Sequence, residues 1–371
     1  MDKQIEKCQK EIDKKFFPKK KRSYKLVKAY QRLNEWTKAE RCENCGSFLE
    51  WHNDDNINKC TLVKANFCKD KFCPLCAWRR SLKLYNQLNK IVDNLCASYR
   101  FLFVTLTVKN CTAEQLAETV KTLNSSFTKM MKTKRFKCIA GYFKILEITH
   151  DTSEFITYDM FHGNRKKHIK SKKRYFEKQN LHIGDKNPSF DTYHPHLHIM
   201  FAVDEDYFSS KDYITQKDLC DAWSKALNVD YTAVCDIRTV SDKNSRDKST
   251  ISFKSAICEV AKYSVKDTDY LNCSDELIDK TVRTLSDALY NVRLCSFAGV
   301  FKEVKQFLKL EDAFESDLLH VSNDEEMHES SEYTVIRYLW QNGKYTRTVF
   351  HRVCIDIFDG EGQDFIERGY L

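Results

Sequence analysis

The sequence predicts an α+β protein in which a small cysteine-rich module precedes a larger domain of strands and helices. From about residue 81 onward, short runs of β-branched and aromatic residues alternate with segments of helical periodicity. Both Cys-x-x-Cys pairs lie before that point. A chain of 371 residues with 42% hydrophobic residues can also bury a substantial core.

Four regions follow from composition. Residues 1–40 form a basic leader around Lys19–Arg22, which is either a solvated face or an arm that contacts DNA phosphates. Residues 41–80 form the cysteine-rich module, and residues 81–305 carry the alternating strands and helices. Residues 306–371 are acidic at first and then strand-like, with a hairpin predicted to turn at Asn342-Gly343. The sequence does not indicate what this last region does.

The cysteine-rich module predicts a zinc site. Two Cys-x-x-Cys knuckles lie about thirty residues apart, and each short turn directs two thiolates toward one tetrahedral ion. Disulfides are not expected for thiols in a reducing cytoplasm. Six cysteines exceed the four that one site needs, so two are spare or belong to an alternative ligand set: Cys42, Cys45, Cys60, Cys68, Cys73 and Cys76. Arg79 and Arg80 follow at once and are predicted to contact DNA phosphates.

Periodicity and residue type predict the elements of the third region. In chain order they are a helix that buries Leu82, Tyr85, Leu88 and Val92, a strand over 101–108, a helix over 113–131, strands over 141–148 and 193–201, a helix over 218–227, a strand over 233–240 and a helix over 251–266.

The strand over 193–201 carries the most informative motif of the chain. His196 and His198 are one residue apart, so a strand points both imidazoles to the same face, where they form a potential divalent-metal site. Glu147 lies near the end of the strand over 141–148, and a metal shared with the histidines would offset the cost of burying its carboxylate. His-x-His pairs also occur in cupin-type enzymes, in amidohydrolases and on ordinary polar sheet faces.

Two further segments contain candidate functional residues. The polar stretch between Asp151 and Tyr193 is either a functional loop or a mobile one. Its candidate DNA-binding residues are Lys166, Lys167, Lys172, Lys173 and Arg174. On the predicted helix over 251–266, Glu259, Tyr263 and Lys266 share one stripe, an arrangement that an amphipathic helix can also show by chance.

Charge and hydropathy narrow the class of protein. A formal net charge of +8 favours a polyanionic partner such as DNA. No apolar run approaches the roughly 18 residues of a membrane span, and no secretory signal follows the lysine-rich start. The expected location is therefore the cytoplasm, without a membrane partner.

Taken together, four motifs resemble those of the initiator proteins of small rolling-circle plasmids, which are His-hydrophobe-His endonucleases with one catalytic tyrosine. The resemblance covers the chain from the cysteine module to about Phe301. In chain order the motifs are Phe67-Cys68-Lys69-x-x-Phe72-Cys73-Pro74-x-Cys76-x-Trp78-Arg79-Arg80, Phe103-Val104-Thr105-Leu106-Thr107-Val108-Lys109-Asn110, the His196/His198 pair, and Glu259-Val260-Ala261-Lys262-Tyr263-Ser264-Val265-Lys266 with the following Asp267-Thr268-Asp269-Tyr270.

The resemblance implies a fold and a set of site residues. The family fold is a central antiparallel sheet with helices packed on it, a palm resembling the RNA-recognition motif, with the metal-binding histidines on a central strand. Glu147 matches the third metal ligand, and His194 ranks below it. Cys45, Cys68, Cys73 and Cys76 align with the zinc ligands, whereas Cys42 and Cys60 look like additions. The basic segment between Glu147 and His196 is longer than in other family members.

The same resemblance implies a mechanism. Tyr263 would attack a phosphate of the plasmid double-strand origin at a single-stranded or hairpin nick site, leaving a 5′-phosphotyrosine and a 3′-OH primer. Mg²⁺ or Mn²⁺ would assist at the catalytic site, Lys266 would stabilise the phenolate or the leaving oxygen, and Glu259 would activate water at termination. A host helicase and DNA polymerase are the expected partners, and a dimer on DNA is one possible assembly.

Other readings compete with this one. A single-tyrosine transposase of the same superfamily is commonly smaller and lacks the cysteine module. A conjugative relaxase usually carries its tyrosine before the histidine pair. A noncatalytic zinc-dependent repressor would bind duplex DNA without a covalent product, and a cupin-like oxygenase would leave Tyr263 and the cysteine knuckles unexplained.

Overall fold

The computed structural model describes residues 2–54, 59–164, 171–241, 250–262, 265–319, 321, 332–354 and 365–367. They fall into two compact units. The terminal unit comprises the described parts of Met1–Ala97 and Glu303–Leu371, together with Ala261 and Lys262. The central unit comprises the described parts of residues 98–260 and 264–302.

The helices include both long amphipathic segments and single turns. In chain order they are α1 (Asp2–Glu11), a π-helical turn (Ile12–Phe16), α2 (Phe17–Arg32), α3 (Trp36–Asn44), α4 (Pro74–Leu95), α5 (Ala113–Met131), α6 (Tyr158–His162), α7 (Lys173–Glu177), α8 (Gln216–Leu227), α9 (Phe253–Val260), α10 (Asp267–Tyr270), α11 (Asp275–Ala288) and α12 (Val300–Phe307). Within the described ranges, no helix has the length and apolar character that crossing a bilayer requires.

The strands form one sheet in each unit. In chain order they are β1 (Phe48–Asp54), β2 (Lys59–Ala65), β3 (Arg100–Thr107), β4 (Ile139–Asp151), β5 (Thr192–Val203), β6 (Cys235–Val240), β7 (Thr250–Ile251), β8 (Cys295–Gly299), β9 (Glu332–Gln341), β10 (Lys344–Cys354) and β11 (Phe365–Glu367).

The sheet of the terminal unit joins the cysteine-rich module to the end of the chain. Its strand order is β11-β10-β9-β1-β2, with antiparallel pairs throughout. The predicted hairpin is confirmed, because β9 and β10 are linked by Asn342 and Gly343, whose φ angles of 51° and 75° suit a two-residue turn. Since β9 pairs with β1, the predicted regions 41–80 and 306–371 share one sheet, a long-range pairing that composition does not reveal.

The basic N-terminal segment is helical and contributes to the core, which differs from the solvated leader that one interpretation of its charge favoured. Ile12, Phe16, Leu26 and Tyr30 are buried at helical spacing among the lysines. The ring of Phe16 packs edge-on against Trp78, with ring centroids 5.0 Å apart. Apolar residues on one face therefore fold this segment despite its charge.

The central unit confirms the predicted α+β class, with a central sheet that is antiparallel except for the short parallel pair of β6 and β7. Its strand order is β7-β6-β3-β5-β4-β8, and β5, with the histidine pair, lies between β3 and β4. Tyr142 and Lys144 contact Phe127 of α5 on one face of the sheet. On the opposite face, Phe101 contacts Phe253 of α9, and this face also carries the histidine pair.

The predicted helix over 251–266 is shorter in the structure. Helix α9 ends at Val260, and Lys266 has an extended backbone (φ −78°, ψ 126°) where it precedes α10. The carbonyl of Ala261, which a continuing helix would use internally, accepts a 2.5 Å hydrogen bond from the Ser81 hydroxyl. The prediction of one continuous helix that carries both Glu259 and Lys266 is therefore wrong.

The polar segment between β4 and β5, which we call the insertion (residues 152–191), folds in its described part around a small core of its own. That core consists of Ile156, Met160, Phe161 and Phe176, with Leu181 packed against it. Backbone hydrogen bonds close the segment, since Ile156 donates to Asp185 and accepts from Gly184, each at 2.9 Å. The described part of the insertion is therefore a packed element rather than an unstructured loop.

Candidate metal centre

Glu147, His196 and His198 converge on one face of the central sheet. The antiparallel register of β4 and β5 places Glu147 directly across from His196. The Oε2 atom of Glu147 lies 2.9 Å from Nε2 of His198 and 3.4 Å from Nε2 of His196. All three residues are buried, with 3–8% of their surface exposed. The structure thus brings together the three predicted ligands of the divalent ion.

The second nitrogen of each imidazole also has a partner. Nδ1 of His196 donates to the backbone carbonyl of His194 at 3.0 Å, which leaves Nε2 as the lone-pair donor. Nδ1 of His198 lies 3.1 Å from the hydroxyl of Thr105. Sequence reasoning missed Thr105 because only the β3–β5 register, which pairs it with His198, shows that it supports this ligand.

Lys266 reaches the same carboxylate. Its Nζ lies 3.2 Å from Oε1 of Glu147. Burial alone would raise the pKa of Glu147, but hydrogen bonds with His196 and His198 and the charge of Lys266 hold that pKa well below its usual value. Burial lowers the pKa of Lys266, but Glu147 and Asp269 outweigh it, so the net pKa is raised. The carboxylate and the ammonium group are therefore both charged near neutral pH.

Glu259 lies near this group of residues, although α9 ends before Lys266. Burial lowers the pKa of His198, while the negative charges of Glu147 and Glu259 oppose that effect. The Glu259 charge also raises the pKa of Lys266. Tyr263 lies outside the described residues, so its position relative to this group stays a prediction.

The donor set fits a divalent ion. It offers two imidazole nitrogens and one carboxylate oxygen, and these ligand atoms lie within 4.8 Å of one another. Neighbouring ligands of an octahedral ion at about 2.1 Å are roughly 3.0 Å apart, close to the 2.9 and 3.4 Å separations between Glu147 and the histidines. Mixed nitrogen and oxygen ligands suit a transition metal such as Mn²⁺.

His194 has a different position from the other two histidines. Its ring lies 5.3 Å from the His196 ring, so it remains on the same side of the strand, but it does not join the converging ligand atoms. Burial, together with the nearby His196 and Lys172, lowers the pKa of His194 to about 4. His194 is therefore neutral near pH 7.

A second potential metal site lies in the terminal unit. The sulfurs of Cys45, Cys68, Cys73 and Cys76 are buried and lie within 4.8 Å of one another. Three of the sulfur pairs are 3.5–3.6 Å apart, near the roughly 3.8 Å edge of a tetrahedral zinc–thiolate site. The backbone N–H of Lys69 donates to the sulfur of Cys76. These four cysteines are the set that the sequence resemblance favoured.

The remaining two cysteines of the module are placed differently. Cys42 lies 3.8 Å from Cys68, sulfur to sulfur, but outside the four-sulfur group. Cys60 pairs with Cys8 in a disulfide, so it lies outside the four-sulfur group as an additional cysteine, and the expectation of no disulfides is wrong at this position. The physical reason is that folding brings α1 against β2, which sequence spacing does not show.

Comparison with known proteins shows the family of this chain. Residues 59–346 match the model of a family described as Replication protein. The chain belongs to this family. A "Protein rep" of Bacillus amyloliquefaciens is 31% identical over 345 residues, which covers 88% of this chain and 91% of the relative. A "Protein rep" of a Bacillus species is 33% identical over 297 residues, covering 76% and 85% of the two chains. No solved structure matches the chain.

The resemblance to replication initiators is thereby confirmed. A further relative, the "Protein rep" of Lactiplantibacillus plantarum, is 32% identical over 325 residues and covers 85% of this replication protein and 90% of its own length. The matched region includes the cysteine cluster from Cys68 onward and the complete Glu147, His196 and His198 group.

The predicted DNA-binding residues of this replication protein fall into two groups. Arg79 and Arg80 are buried, with 1% and 4% of their surface exposed. Arg79 donates to the backbone carbonyl of Leu318 at 2.8 Å, and Arg80 donates to that of Asp70 at 3.0 Å. These guanidinium groups hold the terminal unit together, and the structure does not place them at the surface for DNA.

The lysines and arginine of the insertion are placed at the surface. Lys172, Lys173 and Arg174 are exposed in the described part of the insertion. Lys172 also lies 3.3 Å from a carboxylate oxygen of Asp151. Lys166 and Lys167 lie outside the described residues. The exposed cations of the insertion therefore remain candidates for contact with a DNA backbone.

Proposed function

We propose that this replication protein initiates rolling-circle plasmid replication by nicking and rejoining origin DNA at Tyr263. The observation that carries this proposal is the convergence of Glu147, His196 and His198 in one buried group with Lys266 beside it. Such a donor set is suited to phosphoryl transfer, because a bound divalent ion stabilises charge that develops on phosphate oxygens. Family membership supports the replication role.

In this mechanism Tyr263 supplies the nucleophile. Its oxygen attacks the scissile phosphorus, the bond to the 3′ oxygen breaks, and a 5′-phosphotyrosyl ester and a free 3′-OH result. A phenol has a pKa near 10, so the attack requires stabilisation of the phenolate. Lys266 is suited to stabilise that phenolate or the leaving oxygen, since the raised pKa of its ammonium group keeps it charged.

Glu259 is proposed as the general base of the terminating step. Once displacement synthesis has regenerated the nick site, a second cleavage requires a nucleophile other than Tyr263. The carboxylate of Glu259 can accept a proton from water, and its charge acts on His198 and Lys266, which supports a place near the reacting phosphate. Because water is the second nucleophile, one catalytic tyrosine suffices.

The same proposal includes the partners and cofactors. Mg²⁺ or Mn²⁺ would occupy the Glu147, His196 and His198 site, and Zn²⁺ would occupy the four-cysteine site. The substrate would be the plasmid double-strand origin, exposed as a single strand or hairpin. A host DNA polymerase would extend the 3′-OH, and a helicase would open the duplex. These steps belong in the cytoplasm.

An adduct assay tests the nicking step. The protein is incubated with Mn²⁺ and labelled single-stranded oligonucleotides that tile the replicon, and SDS-resistant protein–DNA adducts are resolved by electrophoresis. We expect an adduct with the wild type, none with Tyr263→Phe, and an adduct that persists without turnover with Glu259→Ala. Tyr290→Phe, at a tyrosine with 76% of its surface exposed, is the control that retains the adduct.

The competing functions give different results. If the wild type binds duplex DNA but forms no adduct under any condition, the nicking proposal fails and a noncatalytic repressor is favoured. A transposase would form the same adduct, so plasmid maintenance in cells must also be measured. If Tyr263→Phe abolishes the adduct yet the replicon is still maintained, the replication role fails.

A further inference from the structure

A cavity of about 690 Å³ lies beside the metal-ligand group in the central unit. Thr149 and Asp151 line it, and they continue the row that Glu147 begins on β4, because alternate residues of a strand share a face. His194 also lines it and precedes His196 by two residues on β5. The floor of the cavity therefore adjoins the metal-ligand group, two residues along each of these strands.

The insertion supplies the opposite wall. Lys172 and Tyr175 both line the cavity, and Tyr175 has 47% of its surface exposed. Its neighbour Phe176 is fully buried in the small core of the insertion, which fixes the short helix α7 that carries Tyr175. The exposed aromatic ring is thus held at the cavity by packing rather than left on a free loop.

The polar groups of the cavity suit the edge of a nucleobase better than a phosphate. The imidazole of His194 lines the cavity, and its buried Nδ1 has no hydrogen-bond partner among the residues that the structure describes. Asp151 places a carboxylate at the cavity, where it would repel a phosphate but can accept hydrogen bonds from the amino groups of a base.

Cations are also present at this cavity. Lys109 and Lys172 line it, and both residues are exposed. The ammonium group of Lys172 lies 3.3 Å from the Asp151 carboxylate, which orients this lysine. Together, an aromatic face, a polar edge and two exposed ammonium groups match the way in which single-stranded nucleic acid is bound without a duplex partner.

We propose that this cavity binds one unpaired base of the DNA strand, adjacent to the phosphate that is cleaved. The base stacks on Tyr175, its polar edge faces His194 and Asp151, and Lys109 and Lys172 contact the flanking phosphates. The insertion thereby acts as a wall of the substrate site. The identification of single-stranded DNA as the ligand rests on the proposed function.

Binding and base-deletion experiments test this proposal without requiring cleavage. Fluorescence anisotropy measures the affinity for a labelled single-stranded oligonucleotide that spans the nick site, with no added Mg²⁺ or Mn²⁺. We expect Tyr175→Ala to weaken binding by roughly 10-fold and Tyr175→Phe to retain it, because phenylalanine still stacks. Tyr158→Ala is the matched control, since Tyr158 is a 65% exposed tyrosine of the same insertion that does not line the cavity.

An abasic scan identifies the base that enters the cavity. Each nucleotide of the oligonucleotide is replaced in turn by an abasic unit. One position should weaken wild-type binding by about the same factor as Tyr175→Ala, and that position should have no further effect in the variant, because both changes remove the same contact. Equal losses for wild type and variant at every position would overturn the proposal.

The outcomes separate this inference from the nicking proposal. If the wild type forms no adduct but Tyr175 and one base are still coupled, the base-binding cavity stands and the nicking proposal fails. If the wild type forms the adduct and Tyr175→Ala binds and cleaves like Tyr158→Ala, the cavity proposal fails alone. Thermal unfolding of each variant shows whether a loss of binding reflects a loss of folding.

Discussion

Glu147 and His196 are directly paired across strands β4 and β5, with Oε2 of the carboxylate 3.4 Å from Nε2 of the imidazole. This relationship connects two residues that are far apart in the chain and fixes the geometry of the metal-ligand group. A shift of either strand by one residue would turn one of the two side chains to the opposite face of the sheet. The antiparallel register is therefore a requirement of the site.

The hydroxyl of Thr105 is expected to position His198 for metal binding. In Thr105→Val the Nδ1 atom of His198 loses its 3.1 Å partner, so we expect Mn²⁺ affinity to fall by about 10-fold or more. Isothermal titration calorimetry with Mn²⁺ measures the change. Thr105→Ser keeps the hydroxyl and should restore the affinity. Equal affinities in the valine variant and the wild type would show that Thr105 has no positioning role.

The four-cysteine group is expected to hold one zinc ion, and Cys42 is expected to be dispensable. Cys45→Ser removes one of the four converging sulfurs and should lose the stoichiometric metal, whereas Cys42→Ser should keep it. Elemental analysis of the purified proteins by mass spectrometry gives zinc per chain. Zinc retained by Cys45→Ser and lost by Cys42→Ser would mean that the ligand set includes Cys42 instead.

Lys144 is expected to reduce stability near neutral pH. Burial lowers its pKa from 10.5 to about 8, while the ammonium group donates to Asn124 at 2.6 Å. The folded state therefore binds a proton less readily than the unfolded chain. Lys144 lowers the free energy of unfolding most below pH 8, and this effect disappears as the pH rises through 10.5. Lys144→Met should raise the free energy of unfolding by about 2–3 kcal/mol at pH 7.

The pH dependence of this effect provides the check. Urea unfolding of wild type and Lys144→Met is compared at pH 7 and pH 9.5, and only the difference between the two proteins is used. The difference in free energy of unfolding between Lys144→Met and wild type should fall to roughly half at pH 9.5. At that pH the lysine is still mostly protonated in the unfolded chain but not in the folded state. A pH-independent difference would mean that packing rather than charge controls the result.

The basic N-terminal segment is expected to contribute to stability through its apolar face. Phe16 is fully buried and packs edge-on against Trp51 and Trp78. Phe16→Ala should therefore lower the free energy of unfolding by about 3–5 kcal/mol. Phe307→Ala, at a residue with 79% of its surface exposed, serves as the control and should change stability by less than about 0.5 kcal/mol. Urea unfolding followed by tryptophan fluorescence measures both, and equal effects would refute a core role for the segment.

Much of the fold and the site could be predicted from local pattern. The helix predicted over 113–131 has the same bounds in the structure as α5, because apolar spacing and the Thr112/Gln115 capping box are local signals. The Asn342-Gly343 turn was equally local. His196 and His198 share a face because of their spacing alone, and the spacing of Cys73 and Cys76 indicates a metal site in the same way. Of the Cys42-x-x-Cys45 pair, only Cys45 joins the four converging sulfurs.

Local pattern failed where a distant contact outweighs it. Helical periodicity predicted that the helix starting near Ile251 would continue to Lys266, but the helix ends at Val260 and Lys266 forms an ion pair with Glu147 instead. The arginines after the cysteine module looked like surface cations, but Arg79 and Arg80 satisfy buried backbone carbonyls. Cysteine spacing likewise gave no sign of the bond between Cys8 and Cys60.

The sequence by itself therefore determined the chemical character of this protein: which residues can bind metal, where the strand of the histidine pair and its two neighbouring strands lie, and which family the chain belongs to. Only the tertiary structure decided which of those residues meet. Strand register set Thr105 behind His198 and Glu147 across from His196, and the core of the insertion placed Tyr175 at a cavity. The physical reason is that register and packing depend on contacts between residues far apart in the chain, which local periodicity does not encode.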